Sequence, residues 1–426
     1  MDGHRPASAG PGTERMTRGR LAVYAAVLLA FLDNFALLPL IGPRAQELGA
    51  DAFGVGLAVA AYSLTNLVLN LAGGSLTDRF GRRSVILISL AGSPLCLALY
   101  GLASTFPMFL AVRVLHGALG GALMAGLFAL LADLAPEGRR GTAVGRAGAL
   151  IGLAAVIGPG GAGFAAREYG TAPVLFVLSG ILAVGLVLVW HFLPETLPES
   201  ERTTTSPGTW RRLLADPRVR VACVAIFGLE AAVGIVTGFL KDGIIARQIV
   251  AGMDPERALR YATGAQGGLF SIFAIVAIGL MLSPLARTVD KRGIVGVSVF
   301  GLLITAASTT VLAVSGDLSA DLVGIALYGV GFGLIFPASA AMVGIAVLLS
   351  ERGRAYGLWN AAFDLGLVVG PLAAGIAATT AGLAPFWVAG LLLLAVVAVI
   401  PLVNRPSLAG TPPSPVIPGT GAEQAR

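Results

Sequence analysis

Long apolar runs occupy most of this 426-residue chain. A helix of about 20 apolar residues crosses the ~30 Å hydrocarbon core of a bilayer, where every backbone polar group must be satisfied internally. Only 12% of the residues are charged and 56% are hydrophobic, whereas a soluble domain carries roughly 25% charged residues. The sequence therefore predicts an all-α membrane protein with twelve transmembrane helices, near residues 21–42, 53–75, 84–103, 107–131, 142–166, 172–193, 219–241, 262–285, 294–315, 319–349, 355–380 and 384–403.

Polar segments divide the twelve predicted helices into two sets of six. We expect a disordered tail at residues 1–20, a six-helix half at 21–193, a linker at 194–218, a second six-helix half at 219–403 and a second disordered tail at 404–426. No cleavable signal peptide is expected, because residues 1–20 are polar and the apolar run after them is long enough to span a membrane.

The basic residues of the connections indicate the orientation, because lysine and arginine collect on the cytoplasmic side. One side of the predicted bundle carries Arg15, Arg18, Arg20, Arg79, Arg82, Arg83, Arg139, Arg140, Arg202, Arg211, Arg212, Arg287, Lys291, Arg292, Arg352 and Arg354. The other side carries fewer, namely Arg44, Arg167, Lys241, Arg247, Arg257 and Arg260. We therefore predict a multi-pass protein of the cell (inner) membrane with both termini cytoplasmic.

Three short motifs recur at one fixed spacing. Residues 78–81 match 290–293, residues 158–163 match 370–375 and residues 140–145 match 352–357, each pair 212 positions apart (290 and 78, for example). A shared spacing predicts two six-helix halves of like orientation, related by a parallel repeat. In membrane transporters such repeats place a substrate site near the midplane between the halves.

Other features of the sequence argue against several classes of protein. The net charge of +6 comes from basic residues scattered over short connections, which form no continuous face for nucleic acid. Cys96 and Cys223 each lie alone within an apolar run, so neither a disulfide nor a metal site is predicted. No G-x-x-x-x-G-K-[ST] motif occurs, so we expect no direct use of ATP and no cofactor.

The charged stretch 73–83, between the second and third predicted helices, carries a family pattern. Residues 74–83, Gly-Ser-Leu-Thr-Asp-Arg-Phe-Gly-Arg-Arg, match the signature G-x-L-a-D-r-x-G-r-r of the major facilitator superfamily, which the chain resembles over residues 20–405. Residues 113–117, Arg-Val-Leu-His-Gly, are similar to the family's R-x-x-Q-G, with His116 in place of glutamine. Residues 158–163 resemble part of the pattern G-x-x-x-G-P-x-x-G-G of its 12-span drug/proton antiporters, with Ala154 and Ala162 in place of two glycines.

The resemblance implies the major facilitator fold and a conformational latch at residues 74–83. In similar transporters this cluster holds the outward-facing state against the start of the eleventh helix, near Tyr356 here. Arginines clamp carboxylates well, and Asp133 is the expected partner of Arg82 or Arg83. The alternative is an anchor that only fixes topology. The predicted latch residues are Gly74, Asp78, Arg79, Gly81, Arg82, Arg83 and Asp133.

Ionisable residues at mid-membrane depth are the candidates for proton coupling, since a charge in hydrocarbon is costly and marks function. Asp33 corresponds to the acid that many drug/proton antiporters carry in the first helix, and we expect it to carry protons. Arg113 is expected to use Asp33 as its counter-charge, with His116 one turn away. Glu230 and Asp364 are secondary acids. A purely structural, hydrogen-bonded role stays open for Asp33, His116, Glu230 and Asp364.

Polar residues at similar depth are the candidate substrate contacts: Asp33, Asn34, Asn66, Asn70, Glu230, Tyr328 and Asn360. Asn66 and Asn70 are spaced to face one direction, and hydrogen bonding between helices is their alternative role. The Gly158-Pro159 pair is predicted to kink the fifth helix and let it pack against the eighth. Gly158, Pro159, Gly163, Gly370 and Pro371 form the predicted packing set.

The residues and the resemblance together predict a proton-coupled secondary active exporter. It would be an antiporter of amphipathic or drug-like small molecules, acting as a monomer by alternating access, and its mid-depth acids favour cationic or neutral substrates. A lipid or glycolipid flippase is the main alternative, and a metabolite importer is disfavoured by the motif at 158–163. A membrane enzyme or receptor is not expected, since no paired catalytic acids, metal-ligand cluster or soluble sensor domain appears in the sequence.

Overall fold

The chain folds into long α-helices joined by short connections. The computed structural model describes residues 11–50, 52–136, 139–202, 207–283, 293–381 and 384–405. In these residues the helices are α1 (Pro11–Glu47), α2 (Ala52–Phe80), α3 (Arg82–Leu102), α4 (Phe106–Leu134), α5 (Arg140–Tyr169), α6 (Thr171–Phe192), α7 (Pro207–Ala215), α8 (Pro217–Val250), α9 (Pro255–Leu282), α10 (Ile294–Ala313), α11 (Leu318–Ala346), α12 (Arg352–Ala381) and α13 (Pro385–Val403).

Twelve of these helices are long and one, α7, is short. Within the described residues, eleven helices are long and apolar enough to cross a membrane. The remaining long helix, α2, covers the second predicted span. The predicted all-α membrane protein is therefore confirmed, and the described helices are consistent with the predicted count of twelve.

Local signals in the sequence set several helix ends. Asp216 and Asp254 each precede a proline and cap α8 and α9, because their side chains accept hydrogen bonds from Arg218 N (2.7 Å) and Arg257 N (3.0 Å). Aspartate before an N-terminal proline is a favoured helix start. Gly81 joins α2 to α3 with φ 90°, a conformation that glycine adopts without steric cost. Such short reversals place consecutive helices antiparallel.

The helix contacts repeat between the two sets of six, which bears out the predicted parallel repeat. In the first set α1 packs on α5 and α6, α2 on α4, and α3 on α4 and α6. The second set reproduces each pair in order: α8 packs on α12 and α13, α9 on α11, and α10 on α11 and α13. We call α1–α6 the first half and α8–α13 the second half.

The two halves meet where α2 ends and α12 begins, a region that we call the closed end. Here the backbones of Gly74 and Gly353 approach so closely that a methyl group at Gly74 would overlap the Gly353 carbonyl. A second seam joins α5 to α9, where a methyl group at Gly145 would lie 3.1 Å from the Met281 carbonyl oxygen and one at Gly152 would lie 2.7 Å from Ile278. Small residues therefore permit both close contacts between the halves.

The structure corrects the predicted role of the glycine-proline run in α5. Gly158 and Gly163 pack on α1, since methyl groups there would lie 3.0 Å from Ala36 N and 3.4 Å from Pro39. The predicted packing of this run against the eighth helix, here α9, is wrong, because that face of α5 is offered by Gly145 and Gly152, about two to four turns earlier.

The equivalent run in α12 has the equivalent neighbour. A methyl group at Gly370 would overlap the Ala231 carbonyl, and one at Gly234 would lie 2.8 Å from Pro371, so this run packs on α8. The two glycine-proline runs therefore occupy matching positions within their own halves rather than between the halves.

Two predicted boundaries also differ from the structure. Residues 11–20, predicted as part of a disordered tail, already belong to α1, which begins at Pro11, a residue favoured in the first turn of a helix. The predicted linker 194–218 contains the short helix α7, and α8 begins at Pro217, within its predicted bounds. The motif at 290–292, the tail at 406–426 and residues 1–10 lie outside the described residues.

Candidate functional site

The closed end is built around Asp78, the acid of the predicted latch. Its Oδ1 accepts hydrogen bonds from Arg82 Nη1 (2.5 Å) and from the backbone N of Gly353 (2.9 Å). Its Oδ2 accepts from the backbone N of Arg354 (3.0 Å), whose Nε lies 3.7 Å away. Asp78 is fully buried. One carboxylate of the first half thus caps the N-terminal turn of α12, a position that a helix dipole favours.

A second acid, Asp133 at the end of α4, ties the same elements together. Its Oδ2 lies 3.3 Å from Arg82 Nε, and its Oδ1 accepts from Arg352 Nη1 at 2.6 Å. Arg82 also donates to the Leu349 carbonyl oxygen at 2.6 Å. The expected pairing of Arg82 with Asp133 is therefore present. We call Asp78, Arg82, Asp133, Arg352 and Arg354 the closed-end cluster.

Two arginines of the predicted latch lie outside this cluster. Arg79 is exposed, with its guanidinium 5.1 Å from the centre of the Phe80 ring. Arg83 donates to the carbonyl oxygens of Leu193 (2.9 Å) and Trp190 (3.0 Å) at the end of α6. Arg83 therefore ties α3 to the end of α6, whereas Arg79 contacts its neighbour in sequence; neither reaches the second half through these contacts.

Sequence reasoning missed several partners at this end. Glu195 accepts hydrogen bonds from the backbone N atoms of Arg82 (3.0 Å) and Arg83 (3.2 Å) and so caps α3 beside Gly81. Glu351 is buried and forms an ion pair with Arg212 of the linker helix α7. Neither acid lies in a recognisable motif. The only sequence signal for them is the presence of arginines nearby that need acidic partners.

Aromatic rings continue the seal below the closed-end cluster. Phe128 of α4 stacks with Tyr356 of α12 at 5.9 Å and meets Trp359 edge-on at 5.1 Å. Phe336 of α11 lies 6.0 Å from Phe128 and 5.6 Å from Trp359. We call Phe128, Phe336, Tyr356 and Trp359 the aromatic plug. Because Trp359 and Tyr356 are fully buried, the plug excludes water between the halves.

The mid-membrane acid Asp33 lies inside the first half, paired with a histidine. His116 Nε2 of α4 lies 2.9 Å from Asp33 Oδ2, and His116 Nδ1 lies 3.2 Å from the Tyr100 hydroxyl. Both Asp33 and His116 are buried. The other carboxylate oxygen of Asp33, Oδ1, is buried and has no hydrogen-bond partner among the described residues. This arrangement can hold a proton on the carboxyl group or share it with the imidazole.

Arg113 joins this group indirectly. Its Nε donates to the Ala58 carbonyl oxygen (2.9 Å), its Nη1 lies 3.5 Å from the Tyr100 hydroxyl, and its guanidinium covers the Tyr62 ring at 4.6 Å. The expectation that Asp33 is its direct counter-charge is therefore wrong: among the described residues, a tyrosine and a histidine stand between them. Tyr62 and Tyr100, which the sequence reasoning did not single out, complete the cluster.

The second half contributes Glu230 of α8 and Asp364 of α12. Glu230 is 2% exposed and its Oε1 has no hydrogen-bond partner among the described residues. A methyl group at Gly366, two positions after Asp364, would lie 3.0 Å from Glu230 Cβ, and the charges of the two acids interact. Asp364 accepts a hydrogen bond from Asn70 of the first half at 2.6 Å.

The other predicted substrate contacts occupy different surroundings. Asn66 and Asn70 are buried in the seam between α2 and α12. Asn360 is also buried, and its Nδ2 has no partner within the described ranges. Tyr328 is buried and donates to the Leu229 carbonyl oxygen at 3.1 Å, beside Glu230. Asn34 is half-buried on α1. Their contact with substrate stays a prediction.

An aromatic row runs between the two acids of the second half. Tyr328 lies 5.8 Å from Phe273, which is followed by Phe332 (5.3 Å), Phe336 (5.5 Å from Phe332) and Trp359. Trp359 lies 6.3 Å from Phe363, the neighbour of Asp364 in sequence. Tyr328, Phe336 and Trp359 of this row are buried, so a ligand reaches these rings only after the closed end opens. Aromatic rings beside buried acids suit an apolar ligand that carries a polar or cationic group.

Comparison with known proteins covers both halves of the chain. The family model described as Major Facilitator Superfamily matches residues 23–244 and 244–421. Multidrug resistance protein 1 of Bacillus subtilis (strain 168) is 27% identical over 357 residues, which cover 82% of this chain and 87% of that protein. Quinolone resistance protein NorA of Staphylococcus aureus is 27% identical over 222 residues, 51% of this chain and 57% of NorA. The crystal structure of the human organic anion transporter MFSD10 (TETRAN) matches with a TM-score of 0.77 at 18% identity, covering 90% of this chain and 99% of that chain, and so shares the fold.

Proposed function

Because this chain belongs to the major facilitator superfamily, we propose that it is a proton-coupled exporter of amphipathic, drug-like molecules in the cell membrane. The direction and the class of substrate rest on its relatives, among them the Bacillus subtilis protein named for multidrug resistance. The proton coupling rests on one observation: the buried Asp33 bonds His116 through one oxygen, and its other oxygen has no partner in the part of the chain that the structure describes.

Alternating access follows from where the halves touch. The ion pairs, backbone contacts and aromatic plug described between the halves all lie toward the closed end. We assign this end to the cytoplasm, because the short connections there carry most of the basic residues. In that orientation both termini are cytoplasmic and the structure is an outward-facing state, in which substrate leaves and protons enter from outside.

The coupling scheme assigns one role to each ionisable cluster. Asp33 takes up a proton from the outside when the closed end is sealed, and His116 shares it through the 2.9 Å contact. The closed-end cluster then opens, the proton leaves to the cytoplasm, and substrate enters against the aromatic row. Arg113 supports the charge balance through Tyr100, and Glu230 and Asp364 form the acidic ends of the row. The protein acts as a monomer without a cofactor in this scheme.

Substrate-driven proton flux in proteoliposomes tests the proposal. In proteoliposomes loaded with a lipophilic drug, the wild-type protein is expected to move protons in the direction opposite to the drug. Asp33→Asn is expected to lower this proton flux at least about tenfold, because an amide cannot bind and release the proton. Asp254→Asn is the matched control, since asparagine caps α9 as well as aspartate does.

Two results would overturn the assignment. Unchanged proton flux in Asp33→Asn at equal protein incorporation removes Asp33 from the coupling. Wild-type vesicles that translocate labelled lipid but show no drug-dependent proton flux would favour a flippase on the same fold instead.

A further inference from the structure

One polar contact crosses between the halves well below the closed-end cluster. Asn70 of α2 donates from Nδ2 to Oδ2 of Asp364 on α12 at 2.6 Å. Asn66, one turn earlier, donates to the same oxygen at 3.0 Å when its amide oxygen accepts from the backbone N of Gly121; in the opposite amide orientation Asn66 Oδ1 accepts from Asn70 Nδ2 at 3.1 Å. Asn70 precedes Asp78 by eight residues, about 12 Å along a helix. The contact is therefore separate from the latch.

Both asparagines are buried, with 1% and 9% of their surface exposed. A methyl group at Gly121 of α4 would lie 2.6 Å from the Asn66 carbonyl oxygen, so α2 is held closely against α4 at this level. On the other side Gly366 holds α12 against α8. The donors and the acceptor thus sit on helices that belong firmly to opposite halves.

Few ionisable groups face Asp364. Glu230 of α8 and Tyr62 of α2 interact with its charge. His116 of α4 lies behind Tyr62, with ring centres 5.4 Å apart, and Tyr328 of α11 faces Glu230. The sequence of α13 carries no ionisable residue. Among the described residues, no arginine or lysine forms an ion pair with Asp364, so amides alone compensate its carboxylate.

The strength of this contact depends on the charge of the acid. An ionised carboxylate only accepts hydrogen bonds, which suits two amide donors aimed at one oxygen. A protonated carboxyl group is a weaker acceptor and brings a donor of its own into the same space. Since hydrogen bonds to charged groups are roughly twice as strong as neutral ones, protonation weakens the contact between the halves.

We propose that Asn66, Asn70 and Asp364 form a charge-dependent lock between the halves, closed when Asp364 is ionised and released when it is protonated. The lock deepens the proposed function and rests on it for the source of the proton. It assigns a positioning role to the two asparagines.

Distance measurement between spin labels tests the lock without any substrate. The labels are placed at Gln46→Cys and Val250→Cys, exposed positions near the ends of α1 and α8 opposite the closed end. The background lacks both native cysteines, Cys96 and Cys223. We expect acidification of the wild type to move the population toward the state in which the two labels approach.

The variants separate the lock from general destabilisation. Asp364→Asn and Asn70→Leu are each expected to lower the ratio of closed-end-sealed to opened protein about tenfold under alkaline conditions, and the double variant to add little, since both remove one contact. Asp364→Asn also flattens the pH response, which Asp364→Glu restores. Thr237→Val, an exposed hydroxyl of α8 that bonds its own helix, is the neutral control.

Additive effects of the two substitutions, or an Asp364→Asn variant that keeps the wild-type distances and pH response, would overturn the lock. Its failure is distinguishable from failure of the proposed function. If the effects of Asp364→Asn and Asn70→Leu are not additive but the wild type shows no drug-driven proton flux, the lock is supported and the exporter is refuted. If the effects are additive and the flux is present, only the lock is refuted.

Discussion

Replacing Asp78 with asparagine removes the centre of the closed-end cluster with almost no change in shape. The carboxylate accepts from Gly353 N through one oxygen and from Arg354 N through the other. Asparagine offers a single carbonyl oxygen and turns an NH₂ group toward the remaining backbone N–H. At least one bond between the halves is lost, and Arg82 keeps only Asp133 as its acidic partner.

The cost follows from the bonds that are lost. A hydrogen bond to a charged group contributes about 1.5–3 kcal/mol. Asp78→Asn loses one such bond and places the amide NH₂ against a backbone N–H. We expect this to destabilise the sealed state by about 2–3 kcal/mol, which changes the ratio of sealed to open protein about 30- to 150-fold. We expect transport to fall, because under the proposed cycle the sealed state is held for less time.

Thiol labelling measures this ratio directly. Ala132 of α4 is 1% exposed and faces Gly344 of α11, where a built methyl group would lie 3.1 Å away. In a background without native cysteines, Ala132→Cys reacts with maleimide only when the closed end opens. We expect Asp78→Asn to speed this reaction by about 30- to 150-fold. Arg79→Gln is the matched control, since Arg79 is exposed and outside the cluster.

The reasoning is refuted if Asp78→Asn labels at the wild-type rate and transports normally at equal membrane levels. Faster labelling in Arg79→Gln to the same extent would also refute it, because the effect would then come from surface charge rather than from the buried bonds. Normal labelling with lost transport would place the role of Asp78 elsewhere in the cycle.

Two further substitutions address other contacts. Gly74→Ala drives a methyl group into the Gly353 carbonyl, so we expect drug resistance of expressing cells to fall to the level of cells without the protein. Gly160→Ala is the control and should keep resistance, because open space surrounds Gly160. Equal resistance of the two variants would contradict the close approach of Gly74 and Gly353. His116→Gln keeps a donor toward Asp33 but cannot take up a proton, so transport should persist with a flatter dependence of rate on pH, and an unchanged pH profile in proteoliposomes would exclude His116 from the proton path.

Much of the fold was accessible from the sequence because a membrane restricts it so strongly. Apolar length fixes where helices lie, and three motifs at one spacing predict the repeated halves that the helix contacts reproduce. Helix ends were less accessible, since an exposed helix end obeys no hydrophobic period. The start of α1 at Pro11 and the helix α7 within the linker are the examples.

Motifs predicted the closed-end cluster, and membrane depth predicted which polar residues matter, but neither predicted most of the pairings. Asp78, Arg82 and Asp133 lie in or near family patterns, and the structure brings them together. The bond between Asp33 and His116, in place of the expected one to Arg113, depends on the rotation of α4 about its axis, which spacing alone does not set. The contact of Asn70 with Asp364 joins residues 294 positions apart, and no local pattern reports such a pairing.

The two acid contacts at mid-depth differ in which bodies they join. Asp33 and His116 belong to one half, so their bond travels unbroken when the halves rotate against each other. Asn70 and Asp364 belong to opposite halves, so under the proposed alternating access their bond forms and breaks once in every turnover. A proton bound by the first pair can therefore move together with its half, without breaking their bond. The opening rate of the second bond would therefore set an upper limit on the turnover rate, and that limit would be the same for every substrate.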